Sequence, residues 1–201
     1  MRWKDVPAGY GWISIGLHWL TALFVVVMLF VGSSIRSETG VNDDKLRLHT
    51  GLAVIFYLAL WFRVYWRFRM GHPGPLRRQQ PLAFAIGKYL HGFLLIALGA
   101  MLISGPIMAW AGGFPIDVFG LFTVPSPIPV SPSAFRVAHQ FHAGCASALA
   151  AGAALHLCGS AKHFFFDNDG SLDRILIAAA DPAAPPSSEA ARPSPVRDAG
   201  P

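Results

Sequence analysis

Apolar residues gather into four long blocks along the chain, instead of alternating or recurring at every third and fourth position. The blocks cover residues 12–32, 48–66, 89–113 and 137–161. Three of them hold no Asp, Glu, Lys or Arg, and the second holds only Arg63, near its end. Each approaches the roughly 20 residues that, at about 1.5 Å rise, cross a hydrocarbon layer of about 30 Å. Inside lipid the backbone must satisfy its own hydrogen bonds, so blocks of this length predict helices. Arg63 and Arg67 can extend their stems toward the interface. Residues 112–134 are apolar but broken by Gly112, Gly113, Pro115, Pro125, Pro127, Pro129 and Pro132, which predicts a segment lying along the outer interface. Pro106 predicts a kink or bend in the third helix. The first block is longer than the apolar core of a signal peptide and no A-x-A site follows it, so it is expected to remain as a helix. The prediction is an all-α, integral membrane four-helix bundle over residues 1–177. Residues 178–201, rich in Ala, Pro and Ser, are expected to form a disordered cytoplasmic tail.

Composition agrees with that pattern. Of the 201 residues, 53% are hydrophobic and 13% charged, with a mean hydropathy of +0.45. A soluble domain carries about 25% charged residues, so an ordinary cytosolic enzyme and a wholly disordered chain are both excluded. The net charge of +5 could suggest a nucleic-acid partner, but its distribution points elsewhere. Arg63, Arg67, Arg69, Arg77, Arg78 and Lys88 cluster around the second loop with no acidic residue among them. In the first loop Arg36, Lys45 and Arg47 are offset by Glu38, Asp43 and Asp44, and the third carries only Asp117 and Arg136. The positive-inside rule then places the second loop and both termini in the cytoplasm and gives the excess charge no nucleic-acid role. Cys145 and Cys158 lie in an apolar run and form neither a disulfide framework nor a CxxC site.

Eight His in so apolar a chain need an explanation. Depth along the predicted helices sorts four of them into pairs: His18 with His156 at the inner level, His49 with His142 at the outer level. His142 and His156 are 14 residues apart, about 21 Å of rise and about 40° short of whole turns, so they share a helix face. His139 falls about 100° out of phase with His156 and is the poorer partner. Two imidazoles from facing helices at one depth suit axial ligation of a haem iron, and two such pairs would hold two haems. Zinc is the rival, although it usually takes four ligands and neither level supplies an intramembrane carboxylate. Interfacial or packing histidines are the plainer alternative. Gly16, Gly51, Gly144 and Gly152 would leave room for a flat cofactor or for close helix packing. His72, His91 and His139 receive no role.

The motifs Gly16-Leu17-His18-Trp19-Leu20, Leu48-His49-Thr50-Gly51-Leu52, Lys88-Tyr89-Leu90-His91, Phe141-His142, Leu155-His156 and Lys162-His163-Phe164-Phe165-Phe166-Asp167-Asn168-Asp169 resemble, in order and spacing, the bacterial cytochrome b561 family. The resemblance spans about residues 8–177. It implies an inner-membrane four-helix cytochrome with two b-type haems, His18 and His156 binding one iron and His49 and His142 the other. It also implies electron transfer, in one member of the family from periplasmic superoxide to ubiquinone. Related subunits instead serve hydrogenases or formate dehydrogenases, which would make a periplasmic electron-donor protein the partner. Six-helix eukaryotic namesakes use ascorbate, and four helices argue against that. Lys45, Arg47 and Arg136 flank the outer pair, where they could steer an anion such as superoxide, hold haem propionates or simply sit at the interface. Asp43 and Asp44 work against steering. His163, Lys162, Ser14 and Trp19, with Trp12 as a substitute for Trp19, could form a quinone pocket at the inner interface, where Lys162 and His163 could equally be interfacial anchors. A haem-free structural or transport protein is the rival from a different class.

Overall fold

The computed structural model describes residues 2–35 and 44–179. Arg36, Glu38, Asp43 and the expected tail from residue 180 onward lie outside the described residues. Four long helices account for most of the chain: α1 (Trp12–Ser33), α2 (Asp44–Met70), α3 (Pro81–Ala111) and α4 (Pro132–Lys162). All four are long and apolar enough to cross a membrane. Three begin earlier than the apolar blocks do, at Asp44, Pro81 and Pro132. Counting apolar residues finds the hydrocarbon-length portion, whereas a helix continues into the polar interface until its caps end it. At α3 and α4 those limits are set by proline in the first turn, where its missing N–H costs nothing. The helix α3 runs on through Pro106 to Ala111.

Leu60 and Val64 of α2 pack against Leu98 and Leu102 of α3, with Phe24 and Val25 of α1 alongside. Leu23, Val26 and Phe30 of α1 and Tyr89 and Ile96 of α3 are exposed, as expected of faces turned to acyl chains. Backbone contact is close within the α1–α2 and α3–α4 pairs and much sparser between α2 and α3. Gly152 is one reason for the tight α3–α4 seam: a Cβ there would lie 2.8 Å from the Phe93 ring.

The two ends of the bundle are built differently. At the end where α1 and α3 begin and α2 and α4 finish, hereafter the terminal end, three segments interlock. Arg2 and Trp3 carbonyls accept the first free N–H groups of α1, from Trp12 and Ile13, which takes the place of a side-chain cap. Gly74 N donates to the Pro7 carbonyl, and Ala179 N to the Tyr10 carbonyl. After α4 the chain makes a π-helical turn (His163–Asp167), is reversed by Asn168 in the left-handed region (φ 45°), and ends in the short α5 (Asp173–Leu176).

The opposite end carries a small antiparallel hairpin, β1 (Ile116–Val118) and β2 (Phe122–Val124), with Ile116 opposite Val124 and Val118 opposite Phe122. In sequence this segment reads as an interfacial loop, because three-residue strands fall below what alternation can reveal. Ile116 and Val118 point the same way and are buried, as the two-residue period requires. Phe119 (φ 53°) and Gly120 (φ 74°) form the reversal. The Phe119 ring lies over Gly51, where a Cβ would stand 2.8 Å from it.

Candidate functional site

The helix pairs face each other through histidines. At the hairpin end His49 of α2 meets His142 of α4, with ring centres 6.4 Å apart. At the terminal end His18 of α1 meets His156 of α4, with centres 6.2 Å apart. An imidazole nitrogen bound at about 2.0 Å puts its ring centre roughly 3.1 Å from a metal, so two trans imidazoles have centres about 6.3 Å apart. Both pairs fit an iron between them. His91 of α3 lies 4.9 Å from His156, shorter than the spacing of two opposed ligands, so these two rings do not suit opposite sides of one haem iron.

Local sequence creates the room at the hairpin end. Gly32 of α1 faces His49, and a Cβ there would lie 3.2 Å from its Cε1; Gly105 of α3 faces His142, with the corresponding separation 3.4 Å. His49 Nδ1 is buried without a hydrogen-bond partner among the described residues. His142 Nδ1 is 2.8 Å from the Ser104 hydroxyl. Of the glycines expected to make room, Gly51 and Gly152 are packed against aromatic rings, whereas a Cβ at Gly16 or Gly144 would meet nothing within 4 Å. His139 is exposed and stacks on Phe135 instead of joining either pair.

The terminal pair is embedded in a larger polar group. From His156 the rings continue through His91 to His72, 5.6 Å further on, and the Tyr10 hydroxyl lies 3.5 Å from His72 Nε2. The Arg67 guanidinium sits 5.0 Å from the Tyr10 ring centre and 3.5 Å from the Asp5 carboxylate. Asp5 also accepts from Gly11 N at 2.8 Å and from the Ser14 hydroxyl at 2.7 Å, and Ser14 in turn accepts from Trp66 Nε1 at 2.9 Å. Arg67 Nη2 is buried without a hydrogen-bond partner among the described residues. Burial pushes the Tyr10 hydroxyl above its ordinary pKa despite nearby Arg67. Burial, reinforced by Arg67, Lys88 and Arg174, holds His72 below its ordinary value against the opposing bond to the Pro73 carbonyl.

The remaining predicted site residues divide by location. Lys45 donates to the Ser34 carbonyl at 3.2 Å, Arg47 pairs with Asp117 at 3.1 Å, and Arg136 is exposed. Asp117 therefore offsets one of the three expected steering charges. Of the four expected quinone residues, Lys162 and His163 share Asp167, which lies 2.6 Å from Lys162 Nζ and 3.1 Å from His163 Nδ1, whereas Trp19 and Ser14 bond elsewhere. His163 Nδ1 also bonds Asp169 at 2.8 Å. Trp19 Nε1 donates to the Ile175 carbonyl at 3.1 Å. Ser14 is 2% exposed and held between Asp5 and Trp66, because its place in the first turn of α1 turns it inward. Trp12 is exposed at the start of the same turn.

In sequence His91, His72 and Ser104 receive no role; the structure sets His91 and His72 in line with His156 and places Ser104 against His142. Depth alone does not pick out His91, which lies ten residues into α3. Ser104 gave no signal, because one serine in an apolar helix has no pattern.

The profile of the family described as Prokaryotic cytochrome b561 matches residues 9–177. The chain is 31% identical to Cytochrome b561 homolog 2 of Escherichia coli (strain K12) over 179 residues, covering 88% of this chain and 95% of that protein. It is also 34% identical to a Heme A synthase of Rhizorhabdus wittichii over 102 residues, which cover 49% of this chain but only 29% of that protein. With four apolar spanning helices and histidines meeting between them, this chain belongs to the prokaryotic cytochrome b561 family, the b-type haem-binding, electron-transferring cytochromes of membranes.

Proposed function

We propose that the chain is a two-haem cytochrome of the bacterial inner membrane that carries electrons from superoxide at the hairpin end to ubiquinone near the terminal end. The observation that carries this reading is the matched geometry of the two pairs, 6.4 Å for His49 with His142 and 6.2 Å for His18 with His156. A haem iron held by each of these imidazole pairs would supply one-electron transfer. The protein's residues do the rest. Two superoxide anions yield two molecules of O₂, and their two electrons with two protons convert one quinone to quinol. At the hairpin end exposed Arg136 attracts the anion, and Arg47 and Lys45 lie on the same rim. The terminal end, with its excess of Arg, faces the cytoplasm and supplies the protons. There the Asp169 carboxylate holds the proton on His163 Nδ1, which leaves Nε2 for a quinone oxygen; Lys162 is tied to the same turn through Asp167, and Trp19 is held at the same end by the Ile175 carbonyl. Ser14 contributes by fixing the first turn of α1.

A second reading has one observation in its favour. The hairpin exposes Phe119, Leu121 and Phe122, a surface on which a periplasmic dehydrogenase or hydrogenase could deliver electrons instead. The purified protein should show a b-type α band in its reduced-minus-oxidised spectrum, with two haems per chain. Anaerobic superoxide pulses in the presence of a short-chain quinone should produce quinol in a 2:1 ratio. Two haems without superoxide-dependent quinol would favour the partner protein, and no haem at all would sink both readings in favour of a structural or transport protein.

A further inference from the structure

The geometry points to Ser104 as the positioning residue for the hairpin-end iron ligand: its hydroxyl accepts the Nδ1 proton of His142 and so fixes the tautomer in which Nε2 can bind metal. The inference rests on the two-haem reading. Ser104 is 3% exposed on α3, with its oxygen 2.8 Å from His142 Nδ1 and 3.4 Å from the Met101 carbonyl. With the hydroxyl hydrogen directed to the Met101 carbonyl, which can only accept, the oxygen is left to accept from the imidazole. The reverse arrangement would put the ring's proton on Nε2 and close that nitrogen to iron. Gly105, the next residue, lets the ring lie close against α3.

Of the four paired rings, only that of His142 has a side-chain hydrogen-bond partner among the described residues, and His49 Nδ1 across the gap has none. The hydroxyl therefore acts on one haem and not on the other. An imidazole that donates through Nδ1 is a stronger electron donor through Nε2, which favours ferric iron and lowers the potential.

The test compares Ser104→Thr with Ser104→Val in the haem-loaded full chain, because the two differ in a hydroxyl at nearly constant volume. Redox titration followed optically should leave both potentials near their original values in the Thr variant. In the Val variant one potential should rise and the other stay. The low-spin ferric EPR signal of the shifted haem should move as the ring loses its fixed orientation. Selective loss of that one haem in Val but not in Thr would carry the same meaning. Identical potentials and spectra in the two variants would overturn the inference, as would a shift shared by both haems. A parent protein that binds no haem would remove the two-haem reading itself and this inference with it.

Discussion

The two histidine pairs have nearly the same spacing but very different surroundings. At the hairpin end His49 and His142 stand apart from other titratable groups of the bundle interior, with glycines pressed against both rings and one serine bond. At the terminal end His156 touches a third imidazole and opens onto a run of Tyr, Arg and Asp side chains woven from three chain segments. A site that only receives an electron needs a fixed iron and little else. A site that completes a reaction consuming protons needs groups able to hold and pass them. The contrast in surroundings, more than the spacing, distinguishes the two ends, and on the proposed reading it sets the direction of electron flow.

The largest expected effect tests whether the spacing argument separates ligand from neighbour. His142→Ala should lose one of two haems, halving the α-band absorbance per chain, and His18→Ala should lose the other. His91→Ala should keep both, since its 4.9 Å approach to His156 is shorter than two opposed haem ligands require. A His91 variant lacking a haem would break the assignment at the terminal end while leaving the hairpin end intact. Next in size is the anchoring of the terminal end. Asp5→Ala removes the acceptor for Gly11 N, Ser14 and Arg67 together. Taking one partner from a buried charged pair costs about 3–5 kcal/mol. Thermal unfolding in detergent should register that loss, and proteolysis should open residues 2–11 first.

Spans, depth and pairing were legible in the sequence because each rests on a long-range regularity. Four almost uncharged blocks declare themselves, and a fixed rise per residue converts position into depth for His18, His49, His142 and His156. The surroundings were not legible because they arise from contacts between residues far apart in the chain. Tyr10 meets His72 across 62 positions, and Ser104 meets His142 across 38. Ser14 shows the same limit in reverse: near His18 in sequence, it turns inward to Asp5. The hairpin escaped because Phe119 closes it through a positive φ that only the assembled end stabilises.

A smaller effect should distinguish the ends by packing. Gly32→Ala places a methyl 3.2 Å from His49 Cε1, and crowding of this kind costs about 1–3 kcal/mol where neighbours cannot shift. Haem retention at the hairpin end should fall during size-exclusion chromatography, with the terminal-end haem retained.

The smallest effect is that of acid on the terminal end, where two groups outside the spans have lowered pKa values. His72 is held below its ordinary value of 6.5, chiefly by burial. The unfolded chain thus takes up its proton first, so the stability His72 contributes is complete above about pH 6.5 and is lost as pH falls through the lower folded value. Burial pushes the Asp169 carboxyl up, but hydrogen bonds from Ser171 and His163 outweigh it and hold the group below its ordinary 3.8. Its contribution is present above that value and is lost only in stronger acid. Hydrogen exchange in detergent should therefore quicken at residues 71–74 first as pH is lowered, and at residues 168–171 only below about pH 4, once rates are corrected for the intrinsic pH dependence. Asp169→Asn should remove the second step and leave the first. A single transition shared by both segments would mean that the terminal end opens as one unit and that its polar groups do not act separately.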